Sequence, residues 1–178
     1  MIHRVCSFLA VGLPLAALAA PLSAQSDDSE SVEAKLSYVS GIYPERTYFC
    51  GARPRDGGTS ETRILFDFFL DGAGPVEAKM EVIGSVGGRR VSARMRWRGT
   101  AGPAPDNPEE AVIVLTEVYD YDADPLPDGA EWSDPEGDII TLRVDRYFSM
   151  GTQPYILVGT QLSEFGTNDL RCLDGAAR

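Results

Sequence analysis

Three successive stretches of this chain alternate apolar and polar residues with a period of two, a pattern that strands satisfy and helices do not. Ile64, Phe66, Phe68 and Leu70 fall on one face, with Asp67 and Asp71 on the other. Val76, Ala78, Met80 and Val82 alternate with Glu77, Lys79 and Glu81. Val91, Ala93, Met95 and Trp97 alternate with Arg90, Ser92, Arg94, Arg96 and Arg98. The sequences Asp-Gly-Ala-Gly-Pro at 71–75 and Gly-Ser-Val-Gly-Gly at 84–88 are turn formers between them. Three consecutive antiparallel strands follow.

The same reading extends along the chain. Residues 111–119 are apolar on both faces and rich in β-branched side chains, as in a central strand. Residues 139–148 and 155–162 flank a turn at 149–152 and make another hairpin. Residues 36–43 and 46–50 read as one bent strand or two short ones around Pro44, and 170–172 as a last short strand. No segment holds a helical period over ten residues, and there is no internal repeat. The expected fold is all-β: an antiparallel meander of seven to nine strands, with a closed barrel preferred over a sandwich. Ser40-Gly41-Ile42-Tyr43 resembles the Gly-x-Trp opening of lipocalin-like barrels, with Tyr in place of Trp. The match covers four residues and implies barrel shape alone.

The first 24 residues read as an export signal. Arg4 gives a positive start, 5–20 is apolar apart from Ser7, and Leu22 and Ala24 occupy the −3 and −1 positions of a cleavage site. The apolar stretch is short and broken by Pro14, unlike a membrane anchor, and no lipobox precedes Cys6. Residues 25–35 are rich in Ser and acids and read as a flexible leader, leaving 36–178 as a single β domain. Removing 24 of the 178 residues leaves 154, enough for one core. Cleavage removes Arg4 and no acid, taking the formal charge from −11 to −12. Such a charge disfavours nucleic acid as a partner. The expected location is the periplasm or the medium.

Cleavage also removes Cys6, leaving Cys50 and Cys172, which in an exported chain read as one disulfide. The bridge would close a loop of about 120 residues and bring the first and last strands together, which favours the barrel. The sole histidine, His3, is lost as well. That removes Ser-His-Asp and Cys-His catalysis and most zinc sites from a mature chain.

Three features could carry function. The first is an acidic, Pro-rich connection at 120–138. From Glu117 to Asp138 there are nine acids and no Lys or Arg. Asp120, Asp122, Asp124, Asp128 and Glu131 have the 1, 3, 5, 9, 12 spacing of calcium ligands in an EF-hand loop. Pro125 at position 6 and a preceding strand exclude an EF-hand, leaving a β-loop calcium site or a solvated acidic loop. The second is an arginine stripe, Arg90, Arg94, Arg96 and Arg98, which either pairs with Glu77 and Glu81 across the hairpin or binds an anion or a partner. The third is the inward set Phe66, Phe68, Met80, Met95 and Trp97, which either fills the core or lines a cavity for a small ligand.

The expected function is therefore an exported, non-catalytic barrel that binds a small apolar or amphipathic ligand. One alternative is an acidic module that binds or inhibits a cationic exported enzyme such as a lysozyme or a protease. The other is a small carboxylate hydrolase. No cofactor is expected apart from calcium, and no membrane span after cleavage.

Overall fold

The computed structural model describes residues 30–40, 47–55, 62–146 and 155–174. Eight strands follow in order: β1 (Thr47–Pro54), β2 (Thr62–Phe69), β3 (Gly74–Val86), β4 (Arg89–Pro103), β5 (Ala111–Ala123), β6 (Ile139–Arg146), β7 (Tyr155–Ser163) and β8 (Gly166–Asp174). Each pairs with the next, and β8 returns to β1 to close an antiparallel barrel. Closure pairs every strand on both sides over at least part of its length. The export signal, the lipocalin-like tripeptide at 41–43 and the turn at 149–152 lie outside the described residues.

The period-two pattern maps directly onto the wall. Ile64, Phe66, Phe68, Ala78, Met80, Ala93, Met95 and Trp97 point inward and are buried. Stacked Phe66 and Phe68 rings, 5.3 Å apart, and an edge contact of Tyr48 on Phe68 at 5.8 Å fill part of the interior. Gly87 and Gly88 both take positive φ between the paired ends Val86 and Arg89, making a two-residue turn that matches the sheet twist.

The seam between β1 and β8 carries the expected disulfide. Cys50 and Cys172 stand directly opposite each other and are bonded across 122 residues of sequence. Both face inward and are buried.

Two expectations are corrected. Residues 36–39, read as the start of a strand, belong to a helix, α1 (Val32–Val39), which also takes in the last four residues of the segment read as a leader. Ser31 caps it by accepting from the Ala34 N–H, and Glu33 suits the positive helix start. Leu36 and Val39, three apart and so on one helix face, are fully buried against the barrel core. Tyr38 donates to Asp174 Oδ2 at 3.3 Å, Ser40 Oγ to the Leu70 carbonyl at 2.7 Å, and Lys35 Nζ to the Glu109 carbonyl at 2.8 Å. These partners belong to the ends of β8 and β2 and to the β4–β5 connection, so α1 seals that end of the barrel. Among the described residues no helix is long and apolar enough to cross a membrane.

The second correction concerns length. β5 runs on to Ala123, so the acidic connection read at 120–138 begins only at 124, and β4 likewise runs as far as Pro103. The β4–β5 connection, 104–110, lies beside α1, and 124–138 lies at the opposite, open end with the Gly87-Gly88 turn and the β7–β8 turn. β5 absorbs its extra length in two irregularities opposite Arg96/Trp97 and Arg98/Gly99.

Candidate functional site

The arginine stripe lies on the outer wall of β4 between two acidic neighbours. Glu81 lies 3.3 Å from Arg94, Glu77 lies 3.5 Å from Arg98, and on the other side Glu117 lies 3.6 Å from Arg98 and Asp120 lies 3.6 Å from Arg96. Asp122 stands opposite Arg94 in register. Arg98 also stacks on the Tyr119 ring at 3.9 Å, while the Tyr119 hydroxyl donates to Glu77 at 3.3 Å. These pairs are solvent-exposed, and each contributes no more than about 1 kcal/mol. Sequence reasoning found the β3 acids and missed those of β5, because it assigned Asp120 and Asp122 to a loop. Their signal was charge complementarity with a strand more than twenty residues away.

Arg90 behaves differently. It stands opposite Ser85, and neither it nor Arg63 has an ion pair among the described residues.

Among the described residues the spacing of the proposed calcium ligands is not matched by convergence of their side chains. Asp120 and Asp122 face the arginines along β5. Asp124 accepts from the backbone N–H of Ser92 at 2.7 Å and from its hydroxyl at 3.1 Å, and these two bonds hold its carboxyl below the usual range. Asp128 sits in a short 3-10 turn, Pro127–Gly129, and Glu131 is exposed. Among the described residues no three His, Cys, Asp or Glu side chains converge as metal ligands.

The five inward residues expected to line a cavity are each at most 8% exposed and belong to the continuous core. The indole Nε1–H of Trp97 is buried there with no acceptor among the described residues. Two concavities lined by described residues lie on the outer wall. One, of about 560 Å³, covers the arginine ladder from Thr47 to Asp122. The other, of about 980 Å³, lies over β1, β2 and β3 and reaches Arg90.

The open end combines acid and apolar surface. Asp138 is buried at its rim and accepts from Gln161 Nε2 at 2.8 Å. Burial raises its carboxyl above the usual value against that hydrogen bond, and the charges of Glu164 and Asp134 push the same way. The three carboxylates therefore share one neighbourhood. Beside them Ile139 and Leu162 are paired across β6 and β7 at 39% and 50% exposure, and Phe165, in the β7–β8 turn, is 74% exposed. The connection at 124–138 is anchored by Trp132, which packs on the core and donates its indole N–H to the Asp124 carbonyl at 2.8 Å. At the sealed end Arg143 bridges Asp106, at 3.0 Å, and Glu110. Its hydrogen bond holds the Asp106 carboxyl low, helped by a backbone N–H and by its charge.

Comparison with protein-family models, with curated proteins and with solved structures gave no match.

Proposed function

We propose that this is an exported, non-catalytic β-barrel that binds a cationic partner protein through its open end. The observation that carries the reading is the exposed apolar group Ile139, Leu162 and Phe165 set beside the carboxylates of Asp134, Asp138 and Glu164. Exposed apolar surface rimmed by charge is the usual form of a protein-binding site, and an aromatic anchor supplies most of its affinity. The acidic connection, with no Lys or Arg from Glu117 to Asp138, selects a basic partner and speeds encounter with it. Export is supported by the N-terminal signal pattern and by a disulfide between buried cysteines. The test is calorimetric titration against a panel of basic exported enzymes, lysozymes and proteases among them. Binding that weakens with salt, and weakens at least about ten-fold in Phe165→Ser/Leu162→Ser, is expected. A panel with no binder, or a binder indifferent to those substitutions, refutes the reading.

One observation favours a second reading, in which the barrel holds a small amphipathic ligand. An N–H buried without an acceptor costs about 1–3 kcal/mol, and a ligand bringing an acceptor to Trp97 Nε1 would recover it. Native mass spectrometry of gently purified protein tests this. A copurified small molecule that is lost in Trp97→Phe supports it, and a clean unliganded mass removes it.

A further inference from the structure

Among the described residues the charge pairing of the outer wall leaves several exposed arginines out, Arg53 and Arg89 among them, and two such residues share one groove. Arg55, Arg94, Arg96, Arg98 and Arg143 each meet a carboxylate. Arg63 and Arg90 meet none among the described residues, although the whole chain carries 27 acids against 16 bases. Both are exposed, and both border the larger outer concavity. Its floor is apolar. Phe49, Leu65 and Ile83 are half-buried in it, on outward positions of β1, β2 and β3, and Gly51 also lines it. Outward positions of an antiparallel barrel are ordinarily polar. The neighbouring outward positions of β3 are Glu77, Lys79 and Glu81, so the apolar strip is a local departure from the pattern of its own strand.

From this we infer that the groove over β1–β3 binds an amphiphile with an apolar chain and an anionic head, a carboxylate or a phosphate. The apolar floor takes the chain. Arg63 and Arg90 take the head, for which the planar guanidinium fork is well shaped and always charged. A volume of about 980 Å³ falls in the range that holds small organic ligands. Charge complementarity sets the sign of the head: two cations with no ion pair among the described residues, in a protein of net negative charge, attract an anion that the rest of the surface repels. The inference stands apart from the acidic end, which uses other residues on β6, β7 and their turns.

The test is isothermal titration of the oxidised, signal-free protein with octyl, decyl and dodecyl phosphate and with dodecanoate, all below their micelle concentrations. Inorganic phosphate and dodecyl maltoside serve as head-only and tail-only controls. One-to-one binding is expected, strengthening by up to about four-fold per added CH₂ and much weaker for either control. Arg63→Ser/Arg90→Ser should lose ten-fold or more with an unchanged melting temperature, and Leu65→Asp should lose the chain-length dependence. Sedimentation with phosphatidylglycerol vesicles then separates a membrane lipid as the source of the head from a free amphiphile. No binding of dodecyl phosphate at millimolar concentration overturns the inference. So does binding that Arg63→Ser/Arg90→Ser leaves unchanged.

Discussion

Reducing the Cys50–Cys172 bridge should cost about 5 kcal/mol of stability, and the figure follows from topology. The two cysteines lie 122 residues apart, so the bridge spans nearly the whole barrel sequence. In the chain-entropy model such a loop removes about 16 cal/mol/K from the unfolded ensemble, which is about 4.9 kcal/mol at 25 °C. For a domain of this size that corresponds to a fall in melting temperature of roughly 10–20 °C. Oxidised and reduced wild type should be compared by urea unfolding, the reduced sample being unfolded in reductant and refolded, because both sulfurs are buried. This comparison changes no side-chain packing, unlike substitution by Ala. The m-value should rise on reduction, since the uncrosslinked unfolded chain exposes more surface. A stability difference below about 2 kcal/mol would refute the reasoning. It would mean that the unfolded chain already holds the ends of β1 and β8 together, so that closing the loop has little entropy left to remove.

Gly99→Ala and Gly159→Ala should each destabilise by about 1–3 kcal/mol or more, because a Cβ would lie 1.8 Å from the carbonyl oxygen of Val114 or of Thr141. Gly102→Ala, with no atom within 4 Å of its Cβ, is the matched control, and equal urea midpoints for all three would remove the explanation. Leu36→Ala should cost about 2–5 kcal/mol if α1 is part of the core, and a loss under 1 kcal/mol would make the helix peripheral. Asp138→Asn should raise the melting temperature at pH 7 and leave it unchanged at pH 3. The folded carboxyl titrates above its unfolded value of 3.8, so the cost of its charge is full above the folded pKa and absent below the unfolded one. Thermal melts across this range that show no difference between Asp138→Asn and wild type would contradict it.

The wall of the barrel was legible wherever one strand alone carried the information. Ile64 to Leu70, Val76 to Val82 and Val91 to Trp97 declare both their strands and their inward faces, because burial on one side imposes a period of two. Closure was legible from Cys50 and Cys172, whose positions near the ends of the domain leave little choice but to join the first strand to the last. The helix was not, although Ser31 and Glu33 carry a start signal: eight residues give only two turns, and Leu36, Tyr38 and Ser40 mimic alternation. The end of β5 was misread for another reason. Asp120 and Asp122 look like loop residues on their own and become strand residues only against Arg96 and Arg94. The irregularities in β5 also shift its alternation at Thr116 and Tyr119, so no single period describes it.

These failures bear on where function can sit. The calcium spacing reads differently once Asp120 pairs with Arg96, Asp122 stands opposite Arg94 in register and Asp124 turns onto Ser92. The arginine stripe loses three members to the same pairing, which isolates Arg90 beside Arg63. Pairing thus acts as a filter: it removes charged groups that the sheet pairs with one another and leaves those with no ion pair among the described residues. The same filter applied to apolar groups removes Phe66, Phe68, Met80 and Met95 into the core and leaves Phe69, Tyr121, Val158 and Leu173 outside it along with Ile139, Leu162 and Phe165. With one end sealed by α1 and the seam bonded, the groups that pass both filters gather at the open end and on the outer wall. Both proposed sites draw chiefly on such exposed groups, Phe165 and Leu162 at one and Arg63 and Arg90 at the other.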